Sequence, residues 1–92
     1  MLHYSWHAKI RQRQRCIPTA VVEDALDFGR ATYLGDGLVA CFLGDRQARE
    51  MRRLTGRAPA KKRVQVIMTE TGIVITVMRA NRPYRGRRNR RG

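Results

Sequence analysis

The sequence predicts an α+β domain: two N-terminal helices packed on a four-stranded antiparallel sheet, with a basic helix inserted between two hairpins. Two tight-turn signals favour this fold, because Gly35-Asp36-Gly37 and Glu70-Thr71-Gly72 each separate two short β-leaning runs. Helical spacing is confined to the segments before and between these hairpins, without the regular alternation of a βαβ protein. We therefore expect the order α-α-β-β-α-β-β within a domain spanning residues 1–79.

The first helix is expected from about Ser5 to Arg15, since Pro18 disfavours a helical conformation at the residue before it. Trp6 and Ile10 are four residues apart and would give this helix an apolar edge to bury. A tryptophan here could instead stack on a nucleic-acid base. A lone tryptophan beside an isoleucine is more often a core anchor, and that is the expectation.

The second helix follows directly, with Thr19 at the position of an N-cap and Gly29 as the stop signal. Its apolar residues Val21, Ala25 and Phe28 recur at the i, i+4 and i+7 spacing of an amphipathic helix. We interpret this helix as part of the core.

The third helix is predicted from Arg46 to Leu54, with Asp45 as its N-cap and Gly56 as its end. It is strongly basic and is expected on the surface. The strands at 64–69 and 73–78 are the most apolar part of the chain and should occupy the centre of the sheet.

The charge balance is strongly positive: 92 residues carry twenty Lys and Arg against seven Asp and Glu, a formal net charge of +13. Six arginines follow Ala80, and residues 1–81 without them still carry +7. We interpret residues 80–92 as a disordered Arg/Gly-rich basic tail. Such a balance indicates a nucleic acid or ribosome as partner, and less so a membrane surface, because the arginines do not face a large apolar helix face.

The two cysteines, Cys16 and Cys41, are far apart and belong to no C-x-x-C pair. Free thiols and a cytoplasmic location are therefore expected. A zinc site that combined them with His3 and His7 would match no known ligand spacing. No metal or other cofactor is predicted, and no apolar run approaches the ~20 residues of a transmembrane helix.

A candidate anion site lies on the first helix. His3, His7, Arg11 and Arg15 follow one another at steps of four residues, and no acid occurs from Met1 to Ala20. A histidine with two arginines suits an anion such as a phosphate. The alternative is a basic helix face that is simply solvated, which is the commoner case.

Two segments resemble a bacterial domain-of-unknown-function family whose members look like small relatives of the RelE and BrnT toxins. Residues 5–17 read Ser-x-His-Ala-x-x-Arg-x-x-x-Arg-x-Ile and lead into an Arg-x-Ile-x-x-x-x-Val junction at 15–22. Residues 72–77 read Gly-Ile-Val-Ile-Thr-Val, like the closing strand of that family. The resemblance covers residues 4–79.

The resemblance implies the compact α+β fold of RelE-like toxins and barnase-type nucleases, which cleave RNA without a metal. In that reaction the ribose 2′-OH attacks the adjacent phosphate. His7 would be the acid or base, Arg11 and Arg15 would hold the phosphate, and Thr76 and Arg79 could face the same groove. No second histidine or glutamate is clearly placed to partner His7.

The favoured function is therefore a metal-independent endoribonuclease that acts on RNA or the ribosome, with an acidic antitoxin protein as a further partner. The alternatives are a non-catalytic nucleic-acid or ribosome-binding protein and a small basic inhibitor or interaction protein. The residues expected to contact nucleic acid are Lys9, Arg13, Arg46, Arg49, Arg53, Lys61, Lys62, Arg82, Tyr84, Arg85, Arg87 and Arg88.

Overall fold

The computed structural model describes residues 3–14 and 16–84, with the backbone alone for His7, Arg11 and Gln14. This part of the chain is an α+β structure with three helices and a five-stranded sheet. The elements are β1 (His3–Tyr4), α1 (Trp6–Gln14), α2 (Thr19–Phe28), β2 (Arg30–Gly35), β3 (Leu38–Leu43), α3 (Asp45–Thr55), β4 (Val64–Thr69) and β5 (Ile73–Arg79).

The sheet is mixed, in the order β1-β5-β4-β3-β2, so the predicted four-stranded antiparallel sheet is wrong in detail. The additional strand β1 runs parallel to β5, with His3 opposite Ile73 and Tyr4 opposite Val74. The backbone N–H of Ser5 donates to the Val74 carbonyl at 2.9 Å and joins α1 to the sheet. A strand of two residues has no alternation to recognise in the sequence.

Both predicted hairpins are confirmed. β2 and β3 pair antiparallel across a turn in which Gly35, Asp36 and Gly37 all have positive φ, at 90°, 55° and 75°. β4 and β5 pair antiparallel across a turn that contains Gly72 with φ 102°. Glycine adopts such backbone angles without a steric penalty, which is why these positions were recognisable as turns.

The hydrophobic core lies between α1, α2 and one face of the sheet. Cys41, Val66 and Val77 are opposite one another on adjacent strands and form a buried row of this face. β4 lies in the middle of the sheet, and its first four residues are buried, as are the last four of β3. Of the two strands predicted at the centre of the sheet, β4 lies there, with β5 beside it. β5 buries only Val74 and Val77 fully, so β3 is the more deeply buried neighbour of β4.

α2 begins and ends differently from the prediction. Thr19 is its first helical residue, and Pro18, with extended backbone angles, takes the N-cap position without a side-chain capping bond. Gly29 ends the helix with φ −71°, so it is not a left-handed stop. A Cβ at Gly29 would lie 2.3 Å from the Ala25 carbonyl oxygen and 2.9 Å from that of Phe42. Close approach of two backbone segments therefore explains this glycine.

α3 is confirmed as a surface helix with one buried side. Its N-cap is Gly44, whose N–H donates to Gln47 Oε1 at 3.0 Å, while the predicted cap Asp45 is the first helical residue. Gly56 ends the helix in the left-handed conformation, as predicted, with φ 77°. Met51 is fully buried and anchors the helix.

The predicted burial of Trp6 and Ile10 is wrong. Their exposed fractions are 78% and 38%, whereas Ala8 is fully buried. Residues two apart on an α-helix lie on opposite sides, so packing through Ala8 directs Trp6 and Ile10 away from the sheet. Within the described residues no helix combines the length and apolarity needed to cross a membrane.

Candidate nucleic-acid interface

Positive charge is concentrated where β3 ends and β4 begins. Residues 45–63 contain eight Lys and Arg against two acids, a net charge of +6. We refer to the surface formed by α3, residues 56–63 and Arg79 as the basic end. Two backbone hydrogen bonds of Arg63 connect the segments of the basic end. The Arg63 N–H donates to the Leu43 carbonyl oxygen at 2.6 Å, and the Arg63 carbonyl oxygen accepts from the Ala80 N–H at 2.9 Å.

An open hollow of about 420 Å³ separates α3 from the loop that follows it. Arg49 and Arg52 are three residues apart on one helix face, and Lys61 and Lys62 stand across from them. Small side chains of the helix and loop leave the space between these cations open. The lining residues are Asp45, Ala48, Arg49, Arg52, Ala58, Pro59, Ala60, Lys61 and Lys62.

A second hollow of about 380 Å³ adjoins the first and shares Lys61 and Lys62 with it. Its other wall includes Arg63 and, from the end of β5, Arg79. The two hollows together form a continuous cationic surface from α3 to β5. A flexible anionic chain that lies across it would meet positive side chains from three separate segments.

Two acids of α3 neutralise part of this surface. Asp45 Oδ2 accepts a hydrogen bond from Arg63 Nη2 at 3.0 Å, and its Oδ1 lies 3.5 Å from Lys62 Nζ. The hydrogen bond from Arg63 is the main cause that lowers the pKa of the Asp45 carboxyl. Glu50 pairs with Arg53, which lowers the pKa of Glu50.

Arg57 pairs with Asp24 of α2, and the other cations of the basic end are available for an external anion. Within residues 3–14 and 16–84 they are exposed or half-buried and form no ion pair within 4 Å. These residues are Arg46, Arg49, Arg52, Lys61 and Arg79.

The predicted nucleic-acid contacts divide into several groups. Arg46, Arg49, Lys61 and Lys62 lie together at the basic end, whereas Arg53 on the same helix faces Glu50. The remaining predicted contacts lie elsewhere. Lys9 and Arg13 are on α1, and Arg82 and Tyr84 are exposed after β5, while Arg85, Arg87 and Arg88 lie outside the described residues.

The predicted catalytic residues are only partly described. His7 and Arg11 lie in α1 by their backbone, and Arg15 is outside the described residues. His3 belongs to β1, so the predicted stripe of four does not lie on a single helix.

Thr76 and Arg79 point to opposite faces of the sheet. Thr76 is opposite Ile67, whereas Arg79 is opposite Val64, a residue of the core beneath the helices. The two side chains are therefore not brought into one groove.

Arg52 and Arg63 were not among the contacts expected from the sequence. Arg52 lies three residues after Arg49, and that spacing alone would have placed it on the same helix face. Arg63 follows two lysines, but its pairing with Asp45 depends on how the loop returns to the start of α3.

The two thiols have different surroundings, since Cys16 is exposed and Cys41 is buried. Burial raises the pKa of the Cys41 thiol. In the described part of the chain, no three His, Cys, Asp or Glu side chains are placed to hold a metal ion together.

No protein-family model, curated protein or solved structure matches the chain. The relationship to RelE- and BrnT-type toxins thus stays a prediction from the sequence motifs.

Proposed function

We propose that the protein binds RNA through its basic end, whose free cations contact the phosphates of the chain. One observation carries this proposal: Arg49 and Arg52 face Lys61 across an open hollow, and no described acid pairs with any of the three. Ordinary surface helices mix charges of both signs at this spacing, so three unpaired cations around one hollow favour an external anion.

The chemistry of the side chains suits phosphate. The guanidinium groups of Arg49 and Arg52 present planar pairs of N–H donors that bind phosphate oxygens in a bidentate manner, and Lys61 adds a point charge. Because phosphate contacts carry no base information, this surface would supply affinity without sequence preference.

Two adjacent arginines allow a matched test. Arg52→Gln and Arg53→Gln remove the same charge by the same substitution on one helix, but Arg52 lines the hollow and Arg53 is neutralised by Glu50. For a single-stranded RNA, we expect Arg52→Gln to weaken binding and to flatten the plot of log affinity against log salt by about 0.7. Arg53→Gln should have a smaller effect on the affinity for RNA and on its salt dependence. Equal effects of the two substitutions would refute a specific role for the hollow.

A metal-independent endoribonuclease of the RelE/BrnT toxin type is the finer form of this proposal. It rests on the resemblance of residues 5–17 and 72–77, and an assay of RNA cleavage without added metal tests it. Without cleavage, the alternatives are a non-catalytic nucleic-acid or ribosome-binding protein and a small basic inhibitor or interaction protein, and salt-dependent binding to RNA alone separates these two. An acidic protein partner, such as an antitoxin, would be expected to compete with RNA for the same cations.

A further inference from the structure

α1 presents an unusual exposed surface on the side away from the sheet. Trp6 is 78% exposed and Ile10 is 38% exposed, and together with Lys9 and Arg13 they line a hollow of about 270 Å³. We refer to these four residues as the Trp6 patch. Large exposed apolar side chains grouped in this way mark binding surfaces more often than a single exposed one does.

The spacing of the Trp6 patch explains why its members are neighbours. Positions 6, 9, 10 and 13 follow the i, i+3, i+4, i+7 rule and lie on one stripe of a helix. That stripe normally faces a core. Here the helix packs through Ala8 on its other side, so the stripe is left for a partner.

The composition of the patch selects among possible partners. A base stacks on the flat face of an indole, and nearby cations contact the phosphates that flank this base. No acid occurs between Met1 and Ala20, so nothing on this segment repels a polyanion. The apolar area consists of two side chains, much less than the apolar face of a helix that lies in a membrane surface.

We propose that Trp6 is a stacking platform for an unpaired RNA base, with Lys9 and Arg13 contacting the phosphates beside it. This inference rests on the proposed RNA binding and adds a substrate class: RNA with unpaired bases. Bases paired within a duplex are already stacked, so a duplex of the same sequence gains no contact with Trp6.

Trp6 follows a residue that is bound near the start of β5, and Arg79 of the basic end lies at the other end of this strand. Ser5, which precedes Trp6, is hydrogen-bonded to Val74 near the start of the strand, and Arg79 ends it. Five residues of strand at about 3.3 Å each separate these two positions by roughly 17 Å. One single-stranded segment of several nucleotides can therefore reach both surfaces.

Intrinsic fluorescence tests the stacking directly, because Trp6 is the only tryptophan in the chain. The protein is titrated with an unlabelled single-stranded oligoribonucleotide and, separately, with a duplex of equal length. Binding of both is measured independently by the anisotropy of a dye on the RNA. We expect saturable quenching of Trp6 by the single strand and little quenching by the duplex.

Each outcome separates this inference from the proposed function. Bound RNA without a change in Trp6 emission overturns the stacking and leaves RNA binding by the basic end intact. No change in anisotropy with either RNA overturns both. Vesicles of phosphatidylglycerol and phosphatidylcholine are the third arm. A blue shift of Trp6 with vesicles, with no response to single-stranded RNA, would assign the patch to a membrane surface instead.

Substitution of Trp6 provides the second measurement. Trp6→Ala should lower the affinity for single-stranded RNA by about 5- to 150-fold and leave duplex binding nearly unchanged. Trp6→Phe should retain part of the preference, since phenylalanine also stacks. The matched control is Tyr33→Ala, because Tyr33 is an exposed aromatic of the edge strand β2 outside the patch. An equal loss for single strand and duplex after Trp6→Ala would overturn the proposal.

Discussion

Arg57 donates a hydrogen bond to the carboxylate of Asp24, with Arg57 Nη2 3.2 Å from Asp24 Oδ1. Asp24 lies on α2 with its side chain only 7% exposed, and Arg57 follows the end of α3. The other carboxylate oxygen of Asp24 is buried without a hydrogen-bond partner among the described residues. Although Arg57 belongs to the basic end, its contact with Asp24 therefore stabilises the fold. It joins the loop beside the hollow to α2.

Removal of Arg57 should destabilise the fold. Arg57→Ala leaves the Asp24 carboxylate buried without this donor, and we expect the free energy of unfolding to fall by about 1–3 kcal/mol. Urea denaturation measures this loss. The double variant Arg57→Ala with Asp24→Asn should recover part of it, because no unpaired charge is then buried. A single variant as stable as the wild type would show that the pair contributes nothing.

Two leucines give a matched test of the core. Leu43, at the end of β3, is fully buried, whereas Leu54 on α3 is 58% exposed. Leu43→Ala should cost about 2–5 kcal/mol, a large share of the stability of a small domain. Leu54→Ala should lower the free energy of unfolding much less in the same denaturation experiment. Similar costs for the two would mean that β3 is not part of the centre of the fold.

The endoribonuclease hypothesis depends on His7. If His7 is the acid or base, His7→Ala should lower the rate of RNA cleavage by about 100- to 10,000-fold while the protein stays folded. Arg11→Lys should also be harmful, since lysine cannot replace a bidentate phosphate contact. The assay compares purified variants on one RNA, with circular dichroism as the control for folding. Undiminished cleavage by His7→Ala would remove this histidine from the mechanism.

The Asp45–Arg63 pair should contribute to the loss of folding stability at acidic pH. Because the hydrogen bond from Arg63 lowers the pKa of Asp45 from its usual value of 3.8, folding favours the ionised carboxylate. Its stabilisation is present above the unfolded pKa and is lost as the pH falls through the lower folded pKa. We therefore expect the unfolding midpoint of Asp45→Asn to fall less steeply with acid below about pH 4 than that of the wild type. Parallel pH profiles for the two proteins would contradict this.

The sequence predicted the elements whose signals are local. The turn at Gly35 to Gly37 needs positive backbone angles that glycine favours, so both strands around it could be placed from composition alone. The helix stop at Gly56 depends on the same property. The basic face of α3 could likewise be predicted, because helical spacing places Arg49 and Arg52 on one side of the helix.

The features that the sequence missed depend on distant parts of the chain. The burial of Ala8 and exposure of Trp6 depend on which side of α1 faces the sheet, and both sides carry apolar residues. Asp45 was predicted to be the N-cap of α3. Its partner is instead Arg63, which lies 18 residues later and reaches Asp45 only because the loop returns to the start of α3. The hollow beside α3 exists only because of that return, so its cations could be predicted but not its shape.

The two residues of β1 also constrain the order in which the protein can be assembled. They pair with a strand about 70 positions later, whereas each hairpin closes within its own short segment. Closing so long a loop is entropically unfavourable and is achieved only when a partner surface exists. During synthesis, α1 is made before β5 and has no edge of this strand to dock on until β5 has been made. α1 therefore takes its final position later than the hairpins form, and Trp6 is placed only when β5 has joined the sheet.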